Sequence, residues 1–328
     1  MNYSNENLIE IARWGQGIID SYIHSDKPIS PAIADKISHI LHVVEIVRSK
    51  WPDDKMAEIT ALLHDIGRFG QWEARKDFRE GGPENLKLHH EYGYEMLQNA
   101  VDSRRLQESP ELDIIRQVVR YHGRPDSKEE EMPDEVVRVK HIIERVDDVE
   151  NGCLGAVGYL IREATEDTKG YIDRYKKEFF ESHGTMPSEE EIDTAMKQVS
   201  PAVLKAFKEG KKFNKLEYCN TYADYTLFAA VLAIQALRGR EKPDSKYDPE
   251  YRKLARSVMQ DYKCSRPIIN EDGTQGKKVY KNAIDGYEDI FGQLIEPRYQ
   301  KVAVDVLKGF YKDPNYEYRE EPDGLDGH

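Results

Sequence analysis

Cysteine is scarce: the 328 residues hold three, Cys153, Cys219 and Cys264, far apart and with no CxxC pair. That argues against a thiolate zinc site and a disulfide framework, and makes a reducing cytoplasm the expected compartment. Positive charge is also short, with 48 Lys and Arg against 61 Asp and Glu and a formal net charge of -13. Such a balance argues against general binding to nucleic acid or to an anionic membrane. No apolar run is long enough to span a bilayer. The longest, Tyr225 to Leu237, is too short and contains Gln235, so it reads as a buried helix. The N-terminal residues Met1 to Glu6 do not resemble a signal peptide, and no repeat is evident. With 39% hydrophobic and 33% charged residues, the chain has enough apolar material for a large core.

What is present is helical periodicity, continuous to about residue 240. Helices are expected over roughly 6–22, from Pro31 to Trp51, from Asp53 or Asp54 into His64, over 88–100, from Pro110 to Gly123 and from Pro133 to about 150. Residues 66–86, rich in Gly and polar side chains, read as a loop. Further helices are expected over 154–180, 189–207, 218–237, 248–262 and 287–311. Only 266–280 departs from this pattern. Its Asp272-Gly273 between β-prone runs predicts a small hairpin, either a lid or a subunit contact. The fold class is therefore all-α. The expected organisation is a core over 1–152, a helical extension over 153–312 packed on it and narrowing the pocket, and a disordered acidic tail over 313–328.

The chemistry concentrates around Leu62-Leu63-His64-Asp65-Ile66-Gly67-Arg68. Gly67 is expected to close a frayed helical turn, which lets the adjacent His64 and Asp65 swing toward one point. Imidazole beside carboxylate suits a divalent transition metal. Six of the ten histidines, His39, His42, His64, His89, His90 and His122, fall between residues 39 and 122. His39 borders the apolar side of its helix, whereas His42 lies in the polar stripe and reads as supporting or plain surface. His122 ends an apolar stripe, and Asp147 is a better inward carboxylate than Asp148. Periodicity does not separate His89 from His90. Singly, each residue is as well explained by a hydrogen-bonded side chain. Together they place inward ligands on separate helices around one His-Asp pair.

In these motifs the sequence resembles the HD-domain superfamily of metal-dependent phosphohydrolases, over roughly residues 30–152. His39-Ile-Leu-His-Val43 is similar to the first His-x-x-Arg-Val helix, with His42 in place of Arg. Leu62 to Arg68 follows the central signature. Ile142 to Asp147 is similar to Ile-Ile-x-x-Ala-Asp, with Val146 for Ala. The segment His89 to Leu97 resembles the His-Pro-Glu-x-Gly segment of two-metal members such as the HD-GYP phosphodiesterases, with His90 at the Pro. Tyr121-His122 resembles the second added histidine, Gly123 replaces a further one, and no Gly-Tyr-Pro follows.

The resemblance implies an HD helical bundle whose metal ligands are His39, His64, Asp65, His89, His122 and Asp147. These would hold two divalent ions, Mn, Fe, Ni, Co, Zn or Mg, with Asp65 as the bridge. Asp65 and Arg68 are then catalytic residues, and Arg68 and Arg124 bind substrate. Arg75, Lys76, Lys87 and Arg120 would add positive potential, and Asn85 and Tyr121 rank below them. The expected reaction is attack of a metal-activated hydroxide on a phosphomonoester or phosphodiester of a nucleotide or small phosphorylated metabolite. The alternatives are a di-iron oxygenase similar to myo-inositol oxygenase and a non-catalytic nucleotide-sensing module. The expected partner is a small phosphorylated substrate, and a homo-oligomer is compatible with the sequence.

Overall fold

The computed structural model describes residues 3–25, 29–78, 86–123, 129–158, 164, 168–239, 248–269 and 274–319. These divide into two compact units, Met1–Glu150 and Asn151–His328. Among the described residues the fold is all-α, apart from one two-stranded antiparallel sheet. No described helix is long and apolar enough to cross a membrane.

In the first unit, α1 (Asn5–Ile23) is capped by Ser4, whose hydroxyl accepts from the Asn7 amide. It is tied to a later helix by Glu111, which accepts from the Ser4 amide at 2.7 Å and the Asn7 side chain at 3.0 Å. Pro31 opens α2 (Pro31–Lys50), where its lacking amide costs nothing. Asp54 caps α3 (Lys55–Leu63), accepting from Ala57 at 3.0 Å. Then come α4 (Gly67–Arg75), α5 (His89–Asp102), α6 (Pro110–Tyr121) and α7 (Asp134–Glu150). The core between them is aliphatic: Ile40, Val43 and Val47 of α2, Ala57 and Leu63 of α3, Ile115 and Val118 of α6, and Val139, Ile143 and Val146 of α7 are fully buried. Each full-sized side chain among them contributes about 1.5–3 kcal/mol.

The stretch read as a loop from residue 66 to 86 instead starts with the helix α4. Gly67 is its first residue and not a left-handed cap, because the chain turns from α3 into α4 through His64 and Ile66 in right-handed conformations. Glycine is needed there for another reason. A Cβ on Gly67 would lie 1.9 Å from the His89 carbonyl oxygen and 2.5 Å from the Gly93 amide nitrogen. Helices α4 and α5 therefore cross backbone to backbone.

The second unit contains α8 (Lys169–His183), α9 (Glu189–Met196), α10 (Pro201–Lys208), a single turn at Lys215–Tyr218, α11 (Tyr222–Arg238), α12 (Pro249–Asp261), α13 (Ala283–Leu294) and α14 (Pro297–Lys312). The helices expected over 189–207 and 287–311 are each split in two, at Pro201 and Pro297, since proline starts a helix but does not continue one. A helix over 154–180 is replaced at its start by a π-turn, Asn151–Gly155, and at its end by α8. Residues 159–163 and 165–167 lie outside the described residues. The hairpin pairs β1 (Cys264–Ile269) with β2 (Gln275–Tyr280) in the register Cys264↔Tyr280 to Ile269↔Gln275. Its Asp272-Gly273 turn and the tail from 320 onward lie outside the described residues. Asp289 of α13 accepts from the Tyr280 hydroxyl at 2.6 Å and from Arg266 at 3.0 Å, which ties the hairpin to that helix.

Candidate metal centre

Four helix ends and two helix faces of the first unit meet around Asp65. His64 is the residue on which α3 ends, and its Nδ1 donates to the Ala61 carbonyl at 2.7 Å. His122 ends α6 in the same way, with Nδ1 donating to the Val119 carbonyl at 2.9 Å. Both rings therefore have a fixed tautomer, with Nε2 facing inward. His122 is extended, and Gly123 after it has φ +68°, a left-handed turn suited to glycine. The Gly123 amide then donates to Glu144 at 2.8 Å. His89 opens α5, where Glu91 accepts from the preceding Leu88 amide.

The inward atoms form two groups that share one carboxylate. In the first, His39 Nε2 is 3.2 Å from His64 Nε2, 3.1 Å from Asp147 Oδ1 and 3.8 Å from Asp65 Oδ2. In the second, His89 Nε2 is 3.3 Å from His122 Nε2 and 3.1 Å from Asp65 Oδ1, and His122 is 4.0 Å from that oxygen. Thus the two oxygens of Asp65 face different imidazole pairs. His39, His64, Asp65, His89 and His122 are all buried, and Asp147 faces inward while Asp148 is exposed.

Electrostatics keep the donors in a ligating form. Burial opposes ionisation of Asp65, but the surrounding His89, Lys36 and Arg68 hold its carboxyl well below the usual range. Asp147 is likewise depressed, against its burial, by His39. Burial pushes His64 and His122 down, so both are neutral at pH 7. His39 is the exception: burial lowers it, yet Glu150 and Asp147 push it up to about 10.

All six candidate ligands read from the sequence converge here. Arg68 lies beside them, its Nε 3.6 Å from Asp65 and its other nitrogen donating to Gln71 at 3.2 Å and the Phe78 carbonyl at 3.5 Å. Arg124 and Asn85 lie outside the described residues. Lys87 pairs with Glu95 and sits over the Tyr92 ring, and Arg120 stacks on Tyr94 and Tyr121. Arg75 and Lys76 pair with Asp77 and Glu73.

Two residues escaped the sequence reading, and a third, His90, was weighed there without being assigned to the site. Glu150 is fully buried and accepts from His39 Nδ1 at 2.5 Å and His42 Nδ1 at 2.9 Å, which gives His42 a supporting place. Its position one turn after Asp147 was the available signal. Lys36, one turn before His39, reaches within 3.8 Å of Asp65. His90 is buried beside His89.

The donor set fits divalent metal: His39, His64 and His122 have their far side already bonded, and the carboxylates are held ionised. One nitrogen or oxygen from each of His39, His64 and Asp65 lies within 4.8 Å of the others. Fold and site thus define a helical domain built around a buried His/Asp cluster that could hold metal. The family model of the HD domain, a family generally made up of metal-dependent hydrolases, matches residues 37–151, in line with the resemblance read from the motifs. Neither the curated proteins nor the solved structures contain a match to the chain.

Proposed function

We propose that the chain is a metal-dependent phosphohydrolase acting on a phosphomonoester or phosphodiester of a nucleotide or small phosphorylated metabolite. The observation that carries this reading is Asp65, whose two oxygens face separate imidazole pairs at 3.8 and 3.1 Å. One ion would be held by His39, His64 and Asp147, another by His89 and His122, with Asp65 shared. Bound divalent ions supply Lewis acidity toward a phosphoryl oxygen and lower the pKa of a water nucleophile.

The chain's own residues set the stage for that chemistry. Glu150, Ala61 and Val119 hold His39, His64 and His122 by their outer nitrogens, so the inner nitrogens stay aimed at Asp65. Arg68, engaged by Gln71 and the Phe78 carbonyl, keeps Asp65 ionised and steady. Lys36 keeps a quarter of its side chain exposed and carries a compact, three-donor charge, so it is suited to meet an incoming phosphate. Arg124 remains a second proposed phosphate contact. A small substrate accords with the acidic chain better than a polynucleotide does.

The test is elemental analysis of protein purified without chelators, paired with turnover of a panel of phosphoesters. Two equivalents of Mn, Fe, Co, Ni or Zn with turnover are expected, and both are expected to vanish in His64→Gln and Asp65→Asn. Two irons with dioxygen uptake and no phosphoester turnover would overturn the reading in favour of an oxygenase. Turnover that survives loss of the metal would overturn it outright.

A further inference from the structure

The second half of the centre contains one imidazole more than its ligand set uses. His90 follows His89 in the first turn of α5 and is only 6% exposed. Its ring centre lies 4.2 Å from that of His89 and 5.5 Å from that of His122. One ring nitrogen from each of His89, His90 and His122 lies within 4.8 Å of the other two. Three buried imidazoles gathered this closely offer their ring nitrogens to one common point, an arrangement that a shared cation satisfies.

We propose that His90 is a third imidazole ligand of the position formed by His89 and His122, which makes the two metal positions chemically unequal. This rests on the two-ion reading above. The position of His39, His64, Asp147 and Asp65 offers two nitrogens and two carboxylates. The position of His89, His90, His122 and Asp65 offers three nitrogens and one carboxylate. Imidazole-rich sites favour iron, cobalt, nickel and zinc, whereas carboxylate-rich sites also accept manganese and magnesium. The nitrogen-rich position therefore fills first with a later transition metal, and the other position is the one that exchanges.

The test titrates cobalt(II) into the chelator-stripped full-length chain, read by calorimetry and by visible absorption. Wild type is expected to bind two equivalents with separable affinities. His90→Gln is expected to weaken one of them at least about tenfold, the scale on which even residues behind the ligands act. His122→Gln is expected to weaken the same equivalent, and His39→Gln the other. Proton NMR of the two-cobalt wild type provides a reading that needs no variant to fold. Each coordinated ring contributes one contact-shifted N–H signal, so His39, His64, His89, His90 and His122 together give five. Four signals, or unchanged cobalt binding in His90→Gln, would overturn the role of His90 and leave the two-ion reading standing. A wild type that takes up no cobalt would overturn both.

Discussion

Glu150 stands behind the first imidazole and sets its charge. A carboxylate bonded to the outer nitrogen of a metal-binding histidine fixes the ring and raises its basicity. Glu150→Gln keeps the shape but removes the charge, and is expected to weaken metal binding about 10–100-fold, measured by competition with a chromophoric chelator. The same contact gives a pH signature without metal. The ordinary His39 pKa is 6.5; burial lowers it, and Glu150 with Asp147 raises it to about 10. A histidine raised in the folded state stabilises the fold fully below its unfolded value, and that contribution is lost as pH climbs through the folded value. Metal-free protein is therefore expected to lose thermal stability steadily from pH 6.5 to 10, and His39→Gln to flatten that fall. A wild-type profile already flat across this window would show that His39 carries no proton. The six side chains that converge on Asp65 were legible in the sequence because each lies in a spaced signature or on an apolar edge. Glu150 and Lys36 were not, since a single charged residue on a helix carries no motif, and the partners of Glu150 lie more than a hundred residues away; His90 stayed unassigned because periodicity does not separate it from His89.

At the scale of elements, the centre depends on how closely α4 and α5 approach. Gly67 meets the His89 carbonyl and Gly93 meets the Val119 side chain, with added Cβ distances of 1.9 and 2.7 Å. Backbone cannot yield as a flexible side chain can, so Gly67→Ala must part the helices and carry His89 away from Asp65. The expected cost is about 1–3 kcal/mol or more, with a matching loss of bound metal, measured by denaturant unfolding and elemental analysis. Normal metal content in a merely less stable Gly67→Ala protein would separate the crossing from the site. Helix existence was legible from periodicity, but helix ends were less so. Gly67 looks like a cap because glycine commonly ends helices, whereas here it permits a close crossing that sequence distance hides. Pro201 and Pro297 each interrupt an apolar pattern without changing its period, so the pattern alone runs through both breaks.

For the whole molecule, charge is the property that bears on function. A formal net charge of -13 repels anionic substrates until salt screens it. The second-order rate constant for a dianionic phosphoester is expected to rise several-fold between about 0.01 and 0.1 M ionic strength, as the Debye length shrinks from about 30 to 10 Å. A falling rate would mean that Lys36 and its neighbours dominate the approach. The C-terminal unit has its own core, with Phe207, Tyr287, Phe291 and Phe310 buried. No motif marked a site there, because packing residues carry pattern but no chemistry.

The anchoring of the rings also orders their arrival during folding. His64 and His122 are each oriented by a carbonyl three residues earlier in their own helix. Such local contacts form with the helix itself, within about a microsecond. The His39–Glu150 bond joins residues 111 apart and waits for α2 and α7 to meet, a slow non-local closure. The nascent chain thus presents two correctly turned imidazoles early, and the His/Asp cluster is complete only when the last helix of the domain docks.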